Sequence, residues 1–150
     1  MNVPSGKYAI TGQQMMALTD YHGQWLVLYF YPKDATPGCT REGQDFRDAY
    51  PNFKNLNTEI IGVSRDNITC HERFKQKERF PFPLLSDSDE VLCQHFDVIK
   101  NKMLYGKSYR GIERSTFLID PHGVVRHEWR KVKVDGHVSE VYQKLLTLQT

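Results

Sequence analysis

The feature that most constrains this chain is an apolar run that leads directly into a turn broken by proline and glycine. Residues 25–31 are all apolar or aromatic, which is typical of a strand buried on both faces in the centre of a sheet. The run stops at Pro32, and the Pro-Gly pair at 37–38 interrupts the loop before an amphipathic helix predicted over residues 40–56. The turn therefore carries Cys39 to the start of that helix.

Cys39 has the surroundings of a reactive thiol. The amino terminus of a helix presents unpaired N–H donors and a partial positive charge, and both stabilise an anion such as a thiolate. A cysteine used only for packing belongs in the core, whereas a polar turn after a buried strand presents its side chains for function. We therefore predict that Cys39 is an activated nucleophile rather than an inert core residue.

The composition is that of an ordinary globular protein. The chain has 150 residues, of which 39% are hydrophobic and 25% charged, enough to bury a core without disulfides, and we predict a single domain over residues 1–150. The formal charge of +2 is small and dispersed, so neither nucleic acid nor a membrane surface is predicted as a partner. We expect a cytoplasmic protein, because signal-peptide and membrane-span patterns are lacking and the three cysteines are irregularly spaced.

Strand and helix patterns alternate along the rest of the chain. Residues 1–24 suggest only a short strand or hairpin, and residues 103–110 are predicted as a loop near the site. Pro51 is expected to kink the first helix or end it early. The other predicted elements are a strand at 58–64, a helix capped by Asp66 or Asn67 and ending near Arg79, a strand at 82–85, a helix capped by Asp87 or Ser88 and ending near Phe96, a hairpin of 115–119 with 124–129, and a helix at 137–148. This order predicts an α/β fold with a central mixed sheet flanked by helices on both faces.

The turn also carries a family resemblance. The spacing Pro32-x-x-x-Thr36-x-x-Cys39 matches the active-site signature of the peroxiredoxins, and YPKDATPGCTREG resembles the bacterioferritin comigratory protein (PrxQ) branch. The resemblance extends over about residues 20–137, with SRD, FPFPLLSD and RSTFLID in the expected order. It implies a thioredoxin-like fold and a thiol-dependent peroxidase that reduces hydrogen peroxide and organic hydroperoxides through a sulfenic acid at Cys39. It also implies thioredoxin or another thiol as reductant and a monomer or weak homodimer. No cofactor is predicted.

Peroxide reduction needs donors around the reacting sulfur, since negative charge moves from sulfur to the departing oxygen. Thr36 can turn its hydroxyl back toward the sulfur and a bound peroxide, although a loop-capping role is the alternative. The backbone N–H groups of Gly38 and Cys39 are further donors, and glycine permits the close approach that the site needs. Pro32 is predicted to shape the pocket and keep water from the sulfur.

The predicted cation is Arg114, which immediately precedes a strand and can be aimed by it. Its guanidinium stays charged and offers several donors in a fixed fork. The resemblance supports this choice, because the second active-site arginine of the family precedes such a strand. From the residues alone three other arginines compete, namely Arg41, Arg47 and Arg110. Glu42 could orient Arg114 or serve only the helix terminus.

The thiol that would resolve a sulfenic acid at Cys39 is left open by the sequence. Many relatives in the resembling branch carry this thiol five residues after the nucleophile, where this chain has Gln44. Cys70 lies near the start of the next helix, a region where other relatives place it, whereas Cys93 has the setting of a core residue. An external thiol is the remaining alternative.

Three other functions would each use part of this sequence pattern. A metal site could use Cys70 with His71 or Cys93 with His95, but neither spacing is that of a structural zinc site, and no metal is predicted. A non-catalytic redox-sensing or holdase module on the same fold is the second rival. The third is a non-peroxidase thiol–disulfide oxidoreductase, which the lack of a Cys-x-x-Cys motif disfavours.

Overall fold

The strands of this chain form a seven-stranded mixed sheet and a separate two-stranded sheet, in a computed structural model that describes residues 1–150. The strands are β1 (Tyr8–Ile10), β2 (Gln14–Met16), β3 (Trp25–Phe30), β4 (Thr58–Ser64), β5 (Leu84–Ser86), β6 (Ile99–Leu104), β7 (Lys107–Ile112), β8 (Ser115–Ile119) and β9 (Val125–Trp129). The helices are α1 (Pro37–Asn55), α2 (Ile68–Glu78), α3 (Val91–His95) and α4 (His137–Gln149), with a 3₁₀ turn at Leu18–Tyr21. None of these helices combines the length and apolar character needed to cross a bilayer.

Strand β3 lies within the large sheet, whose order is β2-β1-β5-β4-β3-β8-β9. It pairs in parallel with β4 and antiparallel with β8, so neither of its edges is open. All six of its residues are buried, and alternate side chains face opposite sides of the sheet. Leu28 and Phe30 contribute to one core, whereas Val27 and Tyr29 contribute to the other. The prediction of a central strand buried on both faces is confirmed.

Helices cover both faces of the sheet, as predicted. On one face, Phe46 and Phe53 of α1, Phe74 of α2 and Val141 of α4 belong to the same apolar core. On the other face, α3 contributes Leu92 to a core that also includes side chains of β1 and β2. The amphipathic patterns of α1 and α4 thus correspond to the stripes that the helices bury.

Helix α1 differs from its prediction at both ends. It begins at Pro37 rather than Thr40, because proline fits the first helical position, where no intrahelical N–H bond is needed. The expectation that Pro51 ends the helix early is wrong, since α1 continues to Asn55. Pro51 is exposed, and the buried Phe46 and Phe53 hold the helix against the sheet on either side of it. Packing therefore outweighs the loss of one backbone hydrogen bond.

The stretch 103–110, predicted as a loop, is the end of a hairpin formed by β6 and β7. Its two central residues, Tyr105 and Gly106, both have positive φ, as a tight two-residue hairpin turn requires. The exposed residues of this hairpin include Met103, Leu104 and Tyr105. Because these apolar side chains face solvent, apolar and polar residues do not alternate as they do in a half-buried strand. The prediction of a loop was wrong for that reason.

We predict that Gly43→Ala destabilises the protein. A Cβ at this position of α1 would lie 2.4 Å from Cζ of Phe80, whose ring is held between Phe74 and Phe82. Alanine gains about 1 kcal/mol of helix propensity, but overpacking a core costs about 1–3 kcal/mol. A contact of 2.4 Å places the cost in the upper part of this range, so urea unfolding should show a net loss of about 1–2 kcal/mol. The exposed Asn52→Ala on the same helix is the control and should not destabilise; a Gly43→Ala protein as stable as wild type would contradict the packing argument.

Candidate active site

The turn between β3 and α1 sets the position of Cys39. Thr36 is the N-cap of α1, and its carbonyl oxygen accepts a hydrogen bond from Thr40 N at 2.8 Å. Cys39 is therefore the third helical residue, within the first turn, where the backbone N–H groups have no partner inside the helix. Its side chain is nevertheless buried, with 2% of the residue exposed. The sulfur thus lies at the positive end of a helix, in a residue that is almost entirely shielded from bulk solvent.

Arg114 brings a cation to this sulfur from a distant part of the chain. It follows β7 and precedes β8, and its carbonyl oxygen accepts a hydrogen bond from Val132 N at 3.0 Å. Its Nη2 lies 3.4 Å from Sγ of Cys39. A Cβ at Gly38 would lie 3.1 Å from the same Nη2, so a larger residue there would require the guanidinium to shift by a few tenths of an ångström.

Glu42 holds the other side of the guanidinium. Nη1 of Arg114 donates to Oε1 of Glu42 at 2.7 Å, while Oε2 is buried without a hydrogen-bond partner. Burial raises the pKa of Glu42 from 4.5 to about 7, although Arg114 acts in the opposite direction. The pKa of Arg114 is raised: burial alone would lower it, and Glu42 and Cys39 outweigh that effect. Arg114 therefore remains charged between the two groups.

The other predicted site residues lie around this trio. Thr36 is half-buried, and its hydroxyl donates to the carbonyl oxygen of Lys33 at 2.8 Å rather than to the sulfur. Pro32 is half-buried at the start of the same turn. The structure thus brings Cys39, Glu42, Arg114 and Gly38 into one cluster, with Thr36 and Pro32 beside it in the chain.

The three competing arginines are engaged elsewhere. Arg41 pairs with Asp135 at 2.8 Å on the surface. Arg47 donates to the carbonyl oxygen of Glu78 at 2.9 Å, and Arg110 pairs with Glu90. Among these four arginines, Arg114 is the one that contacts Cys39.

Two polar groups near the site were not found from the sequence. Lys102 on β6 donates to the carbonyl oxygen of Ile112, and burial and then Arg114 lower its pKa. The Tyr29 hydroxyl is buried without a partner, and burial and then Glu42 raise its pKa well above the ordinary value. Lys102 lies at the edge of a stretch without hydrophobic periodicity, and the sequence pattern marks Tyr29 only as a residue of a buried strand.

All three cysteines are free, and their surroundings differ. Cys70 is half-buried in the first turn of α2 and lines a cavity of about 220 Å³ together with Lys33, Asp34 and Ala35 of the turn before Cys39. Cys93 is fully buried, and its backbone N–H donates to Asp87 at 2.7 Å. Burial and then Asp87 raise the pKa of the Cys93 thiol. Cys93 is a core residue, as predicted.

Neither of the two Cys–His pairs that could have bound a metal belongs to a group of metal-binding side chains. No group of three or more His, Cys, Asp or Glu side chains lies close enough together to hold a metal ion. Cys70 faces the cavity, whereas His71 points into the interior and is fully buried.

Comparison with known proteins gives consistent matches over most of the chain. The model of the AhpC/TSA family matches residues 3–128. Peroxiredoxin Bcp of Xanthomonas campestris pv. campestris is 53% identical over 137 residues, which cover 91% of this chain and 86% of the relative. Peroxiredoxin Bcp of Bacillus subtilis is 54% identical over 132 residues, covering 88% and 84%.

Solved structures match equally well. A structure of the X. campestris bacterioferritin comigratory protein, described with its alkyl peroxide reduction activity, has 46% identity and a TM-score of 0.93, with 99% of this chain and 98% of that chain covered. A cysteine-to-serine mutant of Xylella fastidiosa PrxQ has 44% identity and a TM-score of 0.93, with coverages of 100% and 98%.

The raised pKa of Glu42 predicts a pH-dependent stability. In the folded protein Glu42 keeps its proton up to about pH 7, whereas the ordinary carboxyl of the unfolded chain releases its proton near pH 4.5. The folded state therefore gains stability from this proton, fully below about pH 4.5, and that gain is lost as the pH rises through 7. Glu42→Gln carries no such proton. The unfolding free energy of wild type relative to Glu42→Gln should therefore fall by about 2 kcal/mol between about pH 5 and pH 7.5, measured by urea unfolding. The exposed Glu140→Gln is the control, and identical pH slopes for wild type and Glu42→Gln would refute the prediction.

Proposed function

Because this chain belongs to the AhpC/TSA family, as a peroxiredoxin of the Bcp (PrxQ) group, we propose that Cys39 is the thiol that its peroxidase reaction oxidises. The fold is the thioredoxin-like fold of the peroxiredoxins, as the resemblance implied, and the protein is a thiol-dependent peroxidase. The observation that carries the assignment of Cys39 is its contact with Arg114, 3.4 Å from Nη2 to Sγ at the start of α1.

The chemistry follows from where charge moves. The Cys39 thiolate attacks one oxygen of the peroxide, the O–O bond breaks, and the departing oxygen leaves as an anion that takes up a proton, while the sulfur becomes a sulfenic acid. Arg114 already contacts the sulfur, so its fork can donate to the adjacent oxygen as negative charge develops there. The first amides of α1, those of Gly38 and Cys39, have no intrahelical partner and supply further donors.

The hydrogen bond of the Thr36 hydroxyl determines how this group can contact the peroxide. Its hydroxyl proton is donated to the carbonyl oxygen of Lys33, which leaves the oxygen lone pairs free to accept a hydrogen bond from the peroxide O–H. Pro32, half-buried in the same turn, has no side-chain donor and limits the water near the sulfur. In this proposal Glu42 aims Arg114 and does not touch the substrate.

We propose hydrogen peroxide and organic hydroperoxides as substrates, in line with the alkyl peroxide reduction described for the X. campestris relative. The reductant is thioredoxin or another thiol, the site needs no cofactor, and the protein acts as a monomer or weak homodimer in the cytoplasm, within one domain over residues 1–150. The named peroxiredoxin relatives favour this reading over a holdase or a non-peroxidase oxidoreductase.

Cys70 is our candidate for the resolving thiol. It lines the cavity beside the turn that precedes Cys39, and its thiol is free and half-buried rather than enclosed in the core like Cys93. The position used by many relatives holds Gln44, whose amide donates to Glu78 at 2.8 Å. A Cys39–Cys70 disulfide requires the start of α1 to unwind, because the Cys39 sulfur is buried in its own site.

Stopped-flow oxidation by hydrogen peroxide tests the site. Cys39→Ser should show no reaction, since it lacks the nucleophile. Arg114→Ala and Thr36→Val should each slow oxidation at least about tenfold, which corresponds to about 1.4 kcal/mol of transition-state stabilisation. Arg110→Ala is the matched control, since Arg110 pairs with Glu90 away from the sulfur, and its rate should stay near that of wild type. Unimpaired oxidation of Arg114→Ala would remove Arg114 from the mechanism.

A second experiment tests the role of Cys70. Cys70→Ser should abolish the intramolecular disulfide that forms after one equivalent of peroxide, while Cys39 is still oxidised at the wild-type rate. Non-reducing mass spectrometry of both proteins measures this directly. Cys93→Ala is the control and should keep the disulfide. A disulfide that persists in Cys70→Ser would exclude Cys70, and its absence from wild type would assign resolution to an external thiol.

A further inference from the structure

A buried pair, Asp34 and His71, joins the turn before Cys39 to helix α2, and the proposed reaction gives it no part. Nδ1 of His71 lies 2.7 Å from Oδ2 of Asp34, and the two side chains are 0% and 6% exposed. The other ring nitrogen, Nε2, lies 2.9 Å from the carbonyl oxygen of Leu85 in β5. The turn, α2 and β5 therefore meet at one imidazole ring.

The hydrogen-bond geometry limits where the protons lie. A carbonyl oxygen can only accept, so Nε2 of His71 carries a proton, and one further proton lies between Nδ1 and Oδ2 of Asp34. The Tyr31 hydroxyl donates to Oδ1 of Asp34 at 2.6 Å, and burial raises the pKa of Tyr31 well above its ordinary value, so it remains a donor. Both oxygens of Asp34 are therefore engaged in the interior.

The backbone of Asp34 is anchored as well. Its N–H donates to Oδ2 of Asp66 at 2.9 Å, and the same oxygen accepts the Ser64 hydroxyl at 2.7 Å. Main chain and side chain of one residue thus bind to the segment after β4 and to α2. Asp34 is the point at which this turn is fixed to the rest of the fold.

The turn needs such an anchor because part of it is strained. Ala35 has φ of +64°, in the left-handed region that a residue with a Cβ adopts only at a cost. It stands between Asp34 and Thr36, whose hydroxyl closes the turn onto Lys33. Such a conformation persists only where the surrounding contacts impose it.

We propose that Asp34 and His71 are positioning residues for peroxide reduction, holding turn 33–36 closed so that Thr36 and the first turn of α1 surround the Cys39 sulfur. The inference rests on the proposed function in that Cys39 is the reacting thiol. The pair also ties this turn to the helix that carries Cys70, so an opening of turn 33–36 that exposes the Cys39 sulfur loosens the Asp34–His71 bond. The same contact therefore favours attack on peroxide and opposes access of larger reagents to the sulfur.

Two substitutions of His71 by polar amides test whether the hydrogen bond to Asp34 itself matters. In His71→Asn the amide nitrogen takes the position of Nδ1 and keeps a donor to Asp34. In His71→Gln the amide nitrogen takes the position of Nε2 and lies toward Leu85, so Asp34 has no donor at this position. Asp34→Ala breaks the pair from the other side, since it removes both oxygens that Tyr31 and His71 contact.

Two rates are measured on Cys39 itself, by peptide-resolved mass spectrometry after rapid quenching. Oxidation by hydrogen peroxide needs the closed turn, whereas alkylation by a bulky iodoacetamide at about pH 9.5, where an ordinary thiol is ionised, needs it open. His71→Gln and Asp34→Ala should slow oxidation at least about tenfold and speed alkylation at least about tenfold. His71→Asn should stay within about threefold of wild type in both rates.

Val141→Ala is the control for lost stability, because it opens a core cavity in α4, a helix that carries none of the residues bonded to the turn. Both rates of this variant should stay near those of wild type. Rates that stay unchanged in His71→Gln, rates that fall together, or a His71→Asn protein that behaves like His71→Gln would each overturn the proposal. If peroxide leaves Cys39 of wild type untouched, the proposed function fails, while the alkylation comparison still decides whether the pair holds the turn closed.

Discussion

The site depends on one buried positive charge that two groups share. The Arg114 side chain is 16% exposed and Glu42 is fully buried, and removing such charges from water costs several kcal/mol per ion unless each is paired. Nη1 contacts the Glu42 carboxyl group and Nη2 contacts the Cys39 sulfur, so the guanidinium has a partner on either side. Burial works against an ionised Glu42, and its second oxygen has no donor. In the proposed reaction, charge that leaves the sulfur for oxygen stays within reach of the same cation.

Sheet register explains how two residues 75 positions apart come together. Cys39 follows the carboxyl end of β3, and Arg114 immediately precedes β8. These strands are antiparallel neighbours, and their register pairs Phe30 with Ser115. The end of one strand and the start of the other therefore lie at the same edge of the sheet. Every residue of β3 and β8 is buried, which fixes that register, since a slip by one residue would exchange the two core faces.

Features that depend on residues close together in the chain could be predicted from the sequence, whereas contacts between distant residues could not. The apolar run of β3, the stripe of α1 and the Pro/Gly turn with Cys39 are local patterns, and each corresponds to an observed element. The choice of Arg114 among four arginines required either the resemblance or the register of β8, since the other three have the same chemistry. Lys102 was missed because its hairpin buries no continuous face. Asp34 and His71 were missed because a contact across 37 residues leaves no periodic trace.

In the proposed reaction, the burial that suits attack of Cys39 on a peroxide conflicts with recycling of the thiol. With 2% exposure, Cys39 admits a small peroxide more readily than the thiol of Cys70 or of a reductant protein, and thiol–disulfide exchange needs direct contact between sulfurs. In this proposal the turn before Cys39 must be stable enough to complete the site and weak enough to open. Its contacts fit both needs, because Ala35 has an unfavourable backbone conformation while Asp34 is held by bonds to α2 and Asp66. A turn held by few bonds against its own strain opens at lower free energy than the core strands on which it rests.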